Sequence, residues 1–260
     1  MLGFQWKIVV RYHSSGNKGV PVRTHHERPH RQPLMLYRAG RTSTYPEEPV
    51  DKGIRFHFLG GAGEVGNVGC VIEDLTGTKV LMDYGLAPTK PPKYPSEAPL
   101  MDHAVITHSH IDHIGMAPWL VGHHGTTLHG SRLTSNLSEI MWRDTYKVSS
   151  IEGYPLAWDK RDLDAALGAW QEHDMGDQFS IGNWDLKFHI AGHIPGAVMT
   201  EIDTPGGKIL WTGDMDTRES PNVSGAKPVE CDILCLEGTY GGKYHPDRKE
   251  EEQRFVDRVL

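Results

Sequence analysis

The chain has 260 residues, 38% of them apolar and 7 of them Trp, which is enough to bury a substantial core and excludes a disordered polymer. Its formal charge of −7 is unevenly spread: residues 1–50 carry 8 Lys/Arg against 3 Asp/Glu, the remainder 19 against 31, so the acidic body lacks the basic face usual in nucleic-acid binders. No apolar run approaches a membrane span, MLGFQWKIVVRYH lacks a full secretory h-region and cleavage site, and three cysteines are too few for a disulfide framework, which together point to a cytoplasmic protein with no membrane partner.

Residues 1–50 are rich in Arg, His, Pro and Ser and sustain no apolar period, so they are expected to form a poorly ordered basic extension. From Ile54 the texture changes to short apolar runs separated by Gly: IRFHFL, VGCVIED, KVLMDYG and HAVITH, which predict successive strands. The loop Gly61-Ala62-Gly63-Glu64-Val65-Gly66 satisfies G-x-G-x-x-G, and Asp83 lies 20 residues past Gly63. A dinucleotide site needs a helix to begin at that loop, whereas this one runs into VGCVIED, a Thr-Gly-Thr turn and VLMDYG, the pattern of a hairpin.

Helical patterns follow at 115–122, 134–148 and 160–171, then strands return as FSIGNWDLKFHIA, AVMTEIDT, KILWTGD and CDILCLEG, and PDRKEEEQRFVDRVL closes as a helix. This order argues for sheets packed with helices on their outer faces, an α/β (α+β) sandwich. In CDILCLEG, period 2 places Cys231 and Cys235 on one face of a buried strand, and these thiols, like Cys70, are read as core packing.

The segment that carries chemistry is Thr107-His108-Ser109-His110-Ile111-Asp112-His113-Ile114-Gly115, with four metal-capable side chains within six positions after an apolar strand. Adjacent Asp112 and His113 cannot face one ion from a regular strand, so a loop is expected here, with His108/His110 and Asp112/His113 directed to two different ions. His193, in Ala191-Gly192-His193-Ile194-Pro195-Gly196, and Asp214, in Leu210-Trp211-Thr212-Gly213-Asp214, again sit at strand ends. His57, His103, His123, His124, His129, His173 and His189 lack such company and are taken as surface or packing groups.

H-x-H-x-D-H, then Gly-His, then Thr-Gly-Asp, in this order, resemble the successive metal motifs of metallo-β-lactamase-like hydrolases, over residues 54–260. The resemblance implies the αββα sandwich of that superfamily and two Zn2+: His108, His110 and His193 on one, Asp112 and His113 on the other, Asp214 between them. Asp83 matches the family's first motif and would orient the ligand loop. Two such ions lower the pKa of a bridging water and neutralise a phosphoryl oxygen, and Asp112 could accept that water's proton.

Within the superfamily, the Leu59–Gly66 loop, the helical stretch between Gly115 and Phe179 and above all Leu236-Glu237-Gly238-Thr239-Tyr240-Gly241-Gly242, followed by Lys243, His245 and Arg248, look like the β-CASP ribonucleases, the group of RNase J and the cleavage and polyadenylation factor nuclease. Glu237 would be their motif acid, with Gly238 where Ser is usual. This implies residues 51–240 as the first part of the metallo-β-lactamase domain and 241–260 as the start of a β-CASP domain, so the chain is expected to be a fragment ending inside a helix at Leu260. The implied function is hydrolysis of single-stranded RNA, alone, as a homodimer or in an RNA-processing complex. Two other readings remain open: a glyoxalase II-like thioesterase or lactonase, with His245 as a last zinc ligand, and a noncatalytic RNA-processing subunit.

Overall fold

The computed structural model describes residues 53–241 and 244–260, together with the backbone of Trp6–Val10 and Met35–Arg38. In chain order the elements are strands β1 (Trp6–Val10), β2 (Met35–Arg38), β3 (Gly53–Gly60), β4 (Gly69–Asp74), β5 (Lys79–Tyr84) and β6 (His103–Val105); helices α1 (Ile111–Ile114) and α2 (Ala117–His124); strand β7 (Thr127–Gly130); helices α3 (Arg132–Glu152) and α4 (Lys160–Leu167); strands β8 (Trp170–Glu172), β9 (Gln178–Ile181), β10 (Trp184–Ile190), β11 (Val198–Thr204), β12 (Gly207–Trp211) and β13 (Ile233–Glu237); and helix α5 (Arg248–Val259).

Two sheets result, one ordered β1-β13-β12-β11-β10-β9, the other β2-β3-β4-β5-β6-β7-β8. Their facing sides bury one continuous core, in which Phe56, Cys70, Ile72 and Met82 of the seven-stranded sheet meet Trp184, Leu186, Phe188, Trp211 and Cys235 of the six-stranded one. Helices α1 to α4 cover the other face of the seven-stranded sheet through a second cluster that includes Leu81, Ala104, Ile114, Leu120, Leu128, Trp142 and Leu163. Full burial of each such aliphatic or aromatic side chain contributes about 1.5–3 kcal/mol. The α/β sandwich read from the pattern of runs is therefore the observed architecture, and the loop at 61–66 enters β4 of an antiparallel pair with no helix, which removes the dinucleotide site.

Several local readings change. Two strands lie within residues 1–50, where no period predicts them: β1 pairs with β13 and β2 with β3, so pairing partners supply what local sequence does not. The rest of that stretch, with the expected poorly ordered extension, lies outside the described residues, as do Gly242 and Lys243. Strands β7 and β8 have four and three residues, too short for a period. The helix expected at 115–122 is α2, Ala117–His124, and a separate helical turn, α1, precedes it at Ile111–Ile114. Cys231 precedes β13 and packs with Leu234 and Leu210 on the outer face of the six-stranded sheet, whereas Cys235 lies between the sheets, so the two thiols do not share a face.

Helix ends follow their sequence signals. The Asp159 carboxylate accepts from the N–H groups of Arg161 and Asp162 and Asp162 answers at the Asp159 N–H, a reciprocal cap for α4. Ser131 caps α3 through the Thr134 N–H at 3.2 Å and donates its own hydroxyl to the Gly196 carbonyl at 2.7 Å, which ties the start of α3 to the loop carrying His193.

Candidate metal centre

Strands β5 and β6 run parallel, as do β12 and β13, and β10 is antiparallel to β11, which is antiparallel to β12. The C-terminal ends of β10, β12 and β13 therefore lie at one end of their sheet, where they meet the ends of β5 and β6, and every residue singled out for chemistry lies at or follows one of these five ends. A backbone bond from the Val198 N–H of β11 to the Thr107 carbonyl, 2.9 Å, joins the two sheets at this edge.

Asp83 is the hub. It is fully buried with φ +55°, and its Oδ1 accepts the Thr107 N–H at 2.7 Å while its carboxylate also accepts the Thr107 hydroxyl at 2.9 and 3.0 Å. Because that hydroxyl is spent on Asp83, His108 Nδ1, 3.1 Å from Thr107 Oγ1, is left to donate to it. His113 Nδ1 lies 2.9 Å from Asp83 Oδ2 and must donate to it as well. One buried carboxylate thus holds the Nδ1 side of both histidines, directly for His113 and through Thr107 for His108, and turns Nε2 of both outward, the arrangement by which carboxylates orient metal-binding imidazoles.

The segment 107–110 has no regular secondary structure, but Asp112 and His113 belong to α1, a single helical turn, and not to the continuous loop expected. This turn is held tightly from both sides. The Val68 N–H donates to the Asp112 carbonyl at 2.9 Å, and the indole N–H groups of Trp142 and Trp158 take the Ile114 and Gly115 carbonyls at 2.9 and 2.7 Å, satisfying groups a helix end leaves open. Gly85 permits the approach: a Cβ there would sit 1.7 Å from the Asp112 carbonyl oxygen.

One ligand atom each from His108, His110, His193 and Asp214 lies within 4.8 Å of the others. His110 Nδ1 is 3.0 Å from His108 Nε2 and 3.1 Å from His193 Nε2. Asp214 faces two directions: its Oδ2 is 4.0 Å from His108 Nε2 and 3.8 Å from His193 Nε2, while its Oδ1 is 3.5 Å from His113 Nε2. Asp112 Oδ2 lies 4.0 Å from the same His113 nitrogen. The structure thus brings His108, His110, His193 and Asp214 into one group, with His113 beside Asp214 and Asp112 beside His113.

Burial first, then the neighbouring His113, His110 and His193, holds the His108 pKa well below the ordinary imidazole value, and burial followed by His193 lowers that of His110. Both are neutral with a free lone pair, the metal-binding form. Burial also works against charge on His113, but Asp83, Asp214 and Asp112 outweigh it and raise its pKa to about 9. His113 Nε2 and Asp214 Oδ1 are buried without a hydrogen-bond partner. Each such orphan costs about 1–3 kcal/mol. Their 3.5 Å separation is close to that of two ligands on one tetrahedral ion with bonds of about 2.0–2.2 Å, so the residues present fit a cation.

Beside the ligands opens a cavity of about 330 Å³ lined by His193, Asp214, Arg218, Glu237, Tyr240 and His245, among others. Glu237 Oε2 accepts the Thr239 N–H at 2.9 Å, so Glu237 holds the turn that follows it. His245 lies against the Tyr240 ring, and the group of converging ligand atoms does not include it. Arg218 escaped the sequence reading, although it stands four residues after Asp214; Asp216 grips its guanidinium at 3.0 and 2.8 Å. Three of the unassigned histidines also have closer company than expected: His129 Nε2 and Nδ1 each lie 3.0 Å from a ring nitrogen, of His103 and His173 respectively.

The model of the metallo-beta-lactamase superfamily matches residues 71–235. The chain is 29% identical over 226 residues to cleavage and polyadenylation specificity factor 73 of Drosophila melanogaster, covering 82% of this chain and 32% of that protein. It is 32% identical over 216 residues to cleavage and polyadenylation specificity factor subunit 3 of Dictyostelium discoideum, 77% of this chain and 28% of that one, and 29% identical over 214 residues to RNase aCSPSF2 of Saccharolobus solfataricus, 78% and 42%. The chain spans less than half the length of these relatives. It belongs to the metallo-β-lactamase superfamily.

Proposed function

We propose that this chain carries the metal centre of a zinc-dependent ribonuclease that hydrolyses phosphodiester bonds of single-stranded RNA in the cytoplasm, alone, as a homodimer or within an RNA-processing complex. The observation that carries the reading is the pair of orphaned atoms, His113 Nε2 and Asp214 Oδ1, facing each other beside the cluster of His108, His110 and His193. Imidazole and carboxylate donors suit zinc, and the two directions of Asp214 suit two ions. The relatives named as an RNase and as cleavage and polyadenylation factors support RNA as the substrate. Among the described residues no helix is long and apolar enough to cross a membrane. We assign residues 51–240 to the first part of the metallo-β-lactamase domain and 241–260 to the start of a β-CASP domain.

When bound, a zinc pair supplies an activated water and neutralises charge on the phosphoryl group. Asp83 keeps His108 and His113 in the ligand tautomer. Asp112, a partly exposed carboxylate 4.0 Å from His113 Nε2, would take the proton of the attacking water on an oxygen. Glu237 lines the neighbouring cavity and fixes its wall through Thr239.

The test is cleavage of an end-labelled single-stranded RNA by the zinc-loaded 260-residue chain, with and without chelator, beside Asp112→Ala and His113→Ala. Cleavage is expected to vanish on chelation and in both variants while the fold persists. Full activity in either variant would refute the assignment.

A further inference from the structure

The cavity beside the ligands has a wall whose chemistry the metal centre does not use. The chain leaves β13 through a tight turn in which the Gly241 N–H donates to the Gly238 carbonyl at 2.8 Å and the Thr239 N–H to Glu237 Oε2 at 2.9 Å. Glu237 is itself anchored, its N–H donating to Thr212 Oγ1 at 3.2 Å, two residues before Asp214. The turn is therefore tied to the strand end that delivers Asp214. It presents Tyr240, 59% exposed, to the cavity. The imidazole of His245 lies against that ring, with centroids 4.6 Å apart and planes at 64°, an edge-to-face contact that restrains the phenol. Arg218, on the same cavity, is held by the Asp216 carboxylate in a two-point grip.

We propose that Tyr240 is a stacking platform for the nucleobase next to the scissile phosphate, with His245 as the residue that positions it. The inference rests on the ribonuclease reading and adds the element by which this half of the site would hold its substrate. An exposed ring fixed on a turn, one strand end from the metal ligands, meets what a single-stranded nucleic acid offers: a π-face on every base, whatever its identity. The cavity of about 330 Å³ lies within the range that small-molecule sites occupy. It also accounts for how an acidic chain can engage RNA, since stacking requires no basic patch.

The test is binding, read apart from turnover. The zinc-loaded chain is titrated by fluorescence anisotropy with a short labelled oligoribonucleotide, and with copies in which one nucleotide at a time is made abasic. Each is measured against the native chain, Tyr240→Leu and His245→Leu, with zinc content and thermal unfolding recorded for every variant. Tyr240→Leu is expected to weaken binding about tenfold, in line with the loss of one base–aromatic stack. One abasic position should weaken the native chain equally and Tyr240→Leu no further, the coupling expected of two groups in contact. His245→Leu should give a smaller loss with the same coupling. Losses that add independently, or unchanged affinity in Tyr240→Leu, overturn the proposal. Coupled binding without cleavage would refute the ribonuclease reading and leave the platform, cleavage without coupling would do the reverse, and no binding at all would remove both.

Discussion

Replacing Asp83 by Asn tests whether one buried carboxylate organises the metal centre. The amide has the same shape but a single acceptor. If its oxygen keeps the Thr107 N–H and hydroxyl at 2.7 and 3.0 Å, its NH2 replaces Oδ2 and faces His113 Nδ1 across 2.9 Å. Two donors cannot meet there, so His113 must move its proton to Nε2 and accept at Nδ1. The fold then survives with the exchange of one charge-assisted bond for a neutral one, about 1–2 kcal/mol. The neutral ring, however, now keeps its one hydrogen on the Nε2 that faced Asp214 Oδ1 at 3.5 Å. Loss of such a supporting carboxylate typically costs 10- to 100-fold in metal affinity, or about 1.4–2.7 kcal/mol. On the two-zinc proposal, zinc competition against a chromogenic chelator should show this loss on one of two bound equivalents, the one assigned to Asp112 and His113, while urea unfolding of the metal-free protein moves only slightly. Native affinity at both equivalents would refute the idea that Asp83 sets the His113 tautomer.

Gly85→Ala would drive a methyl into the backbone of α1, 1.7 Å from the Asp112 carbonyl and 2.5 Å from the His113 nitrogen, so the helical turn must move. We expect destabilisation of about 3 kcal/mol or more with loss of zinc from the same side, read by thermal unfolding and metal content; a variant indistinguishable from the native chain in both would show that the turn has room. His129 gives a pH dependence. Burial, then His103 and His173, depress its pKa to about 3, whereas the unfolded value is about 6.5. The unfolded chain therefore binds the proton first, and the stability His129 contributes is complete above about pH 6.5 and falls as pH drops toward 3. Between pH 7 and 5 that loss is about 2 kcal/mol. In His129→Phe, compared with the native chain in urea at both pH values without metal, it should be absent, and an equal acid loss in the two proteins would contradict the assignment.

The parts of this protein that sequence alone determined are those whose signal is local. The short apolar runs KVLMDY and VMTEIDT and the capping carboxylate Asp159 declare their elements, because burial in a sheet and unpaired helix N–H groups act over a few residues. The candidate ligand types and their order were equally legible, since H-x-H-x-D-H has little reason to occur as packing. Tertiary structure decided the rest. Strands β1 and β2 exist through pairing with β13 and β3, and β7 and β8 are too short to have a period. Trp142 and Trp158 look like core residues, yet their indole N–H groups end the α1 turn that aims Asp112 and His113. Tyr240 and His245 share a wall with Asp214 because the ends of β12 and β13 lie side by side. A hydrogen bond or shared cavity between residues 20 to 100 positions apart leaves no period in the chain, because the distance that matters to it is spatial, and only the assembled sheets set that distance.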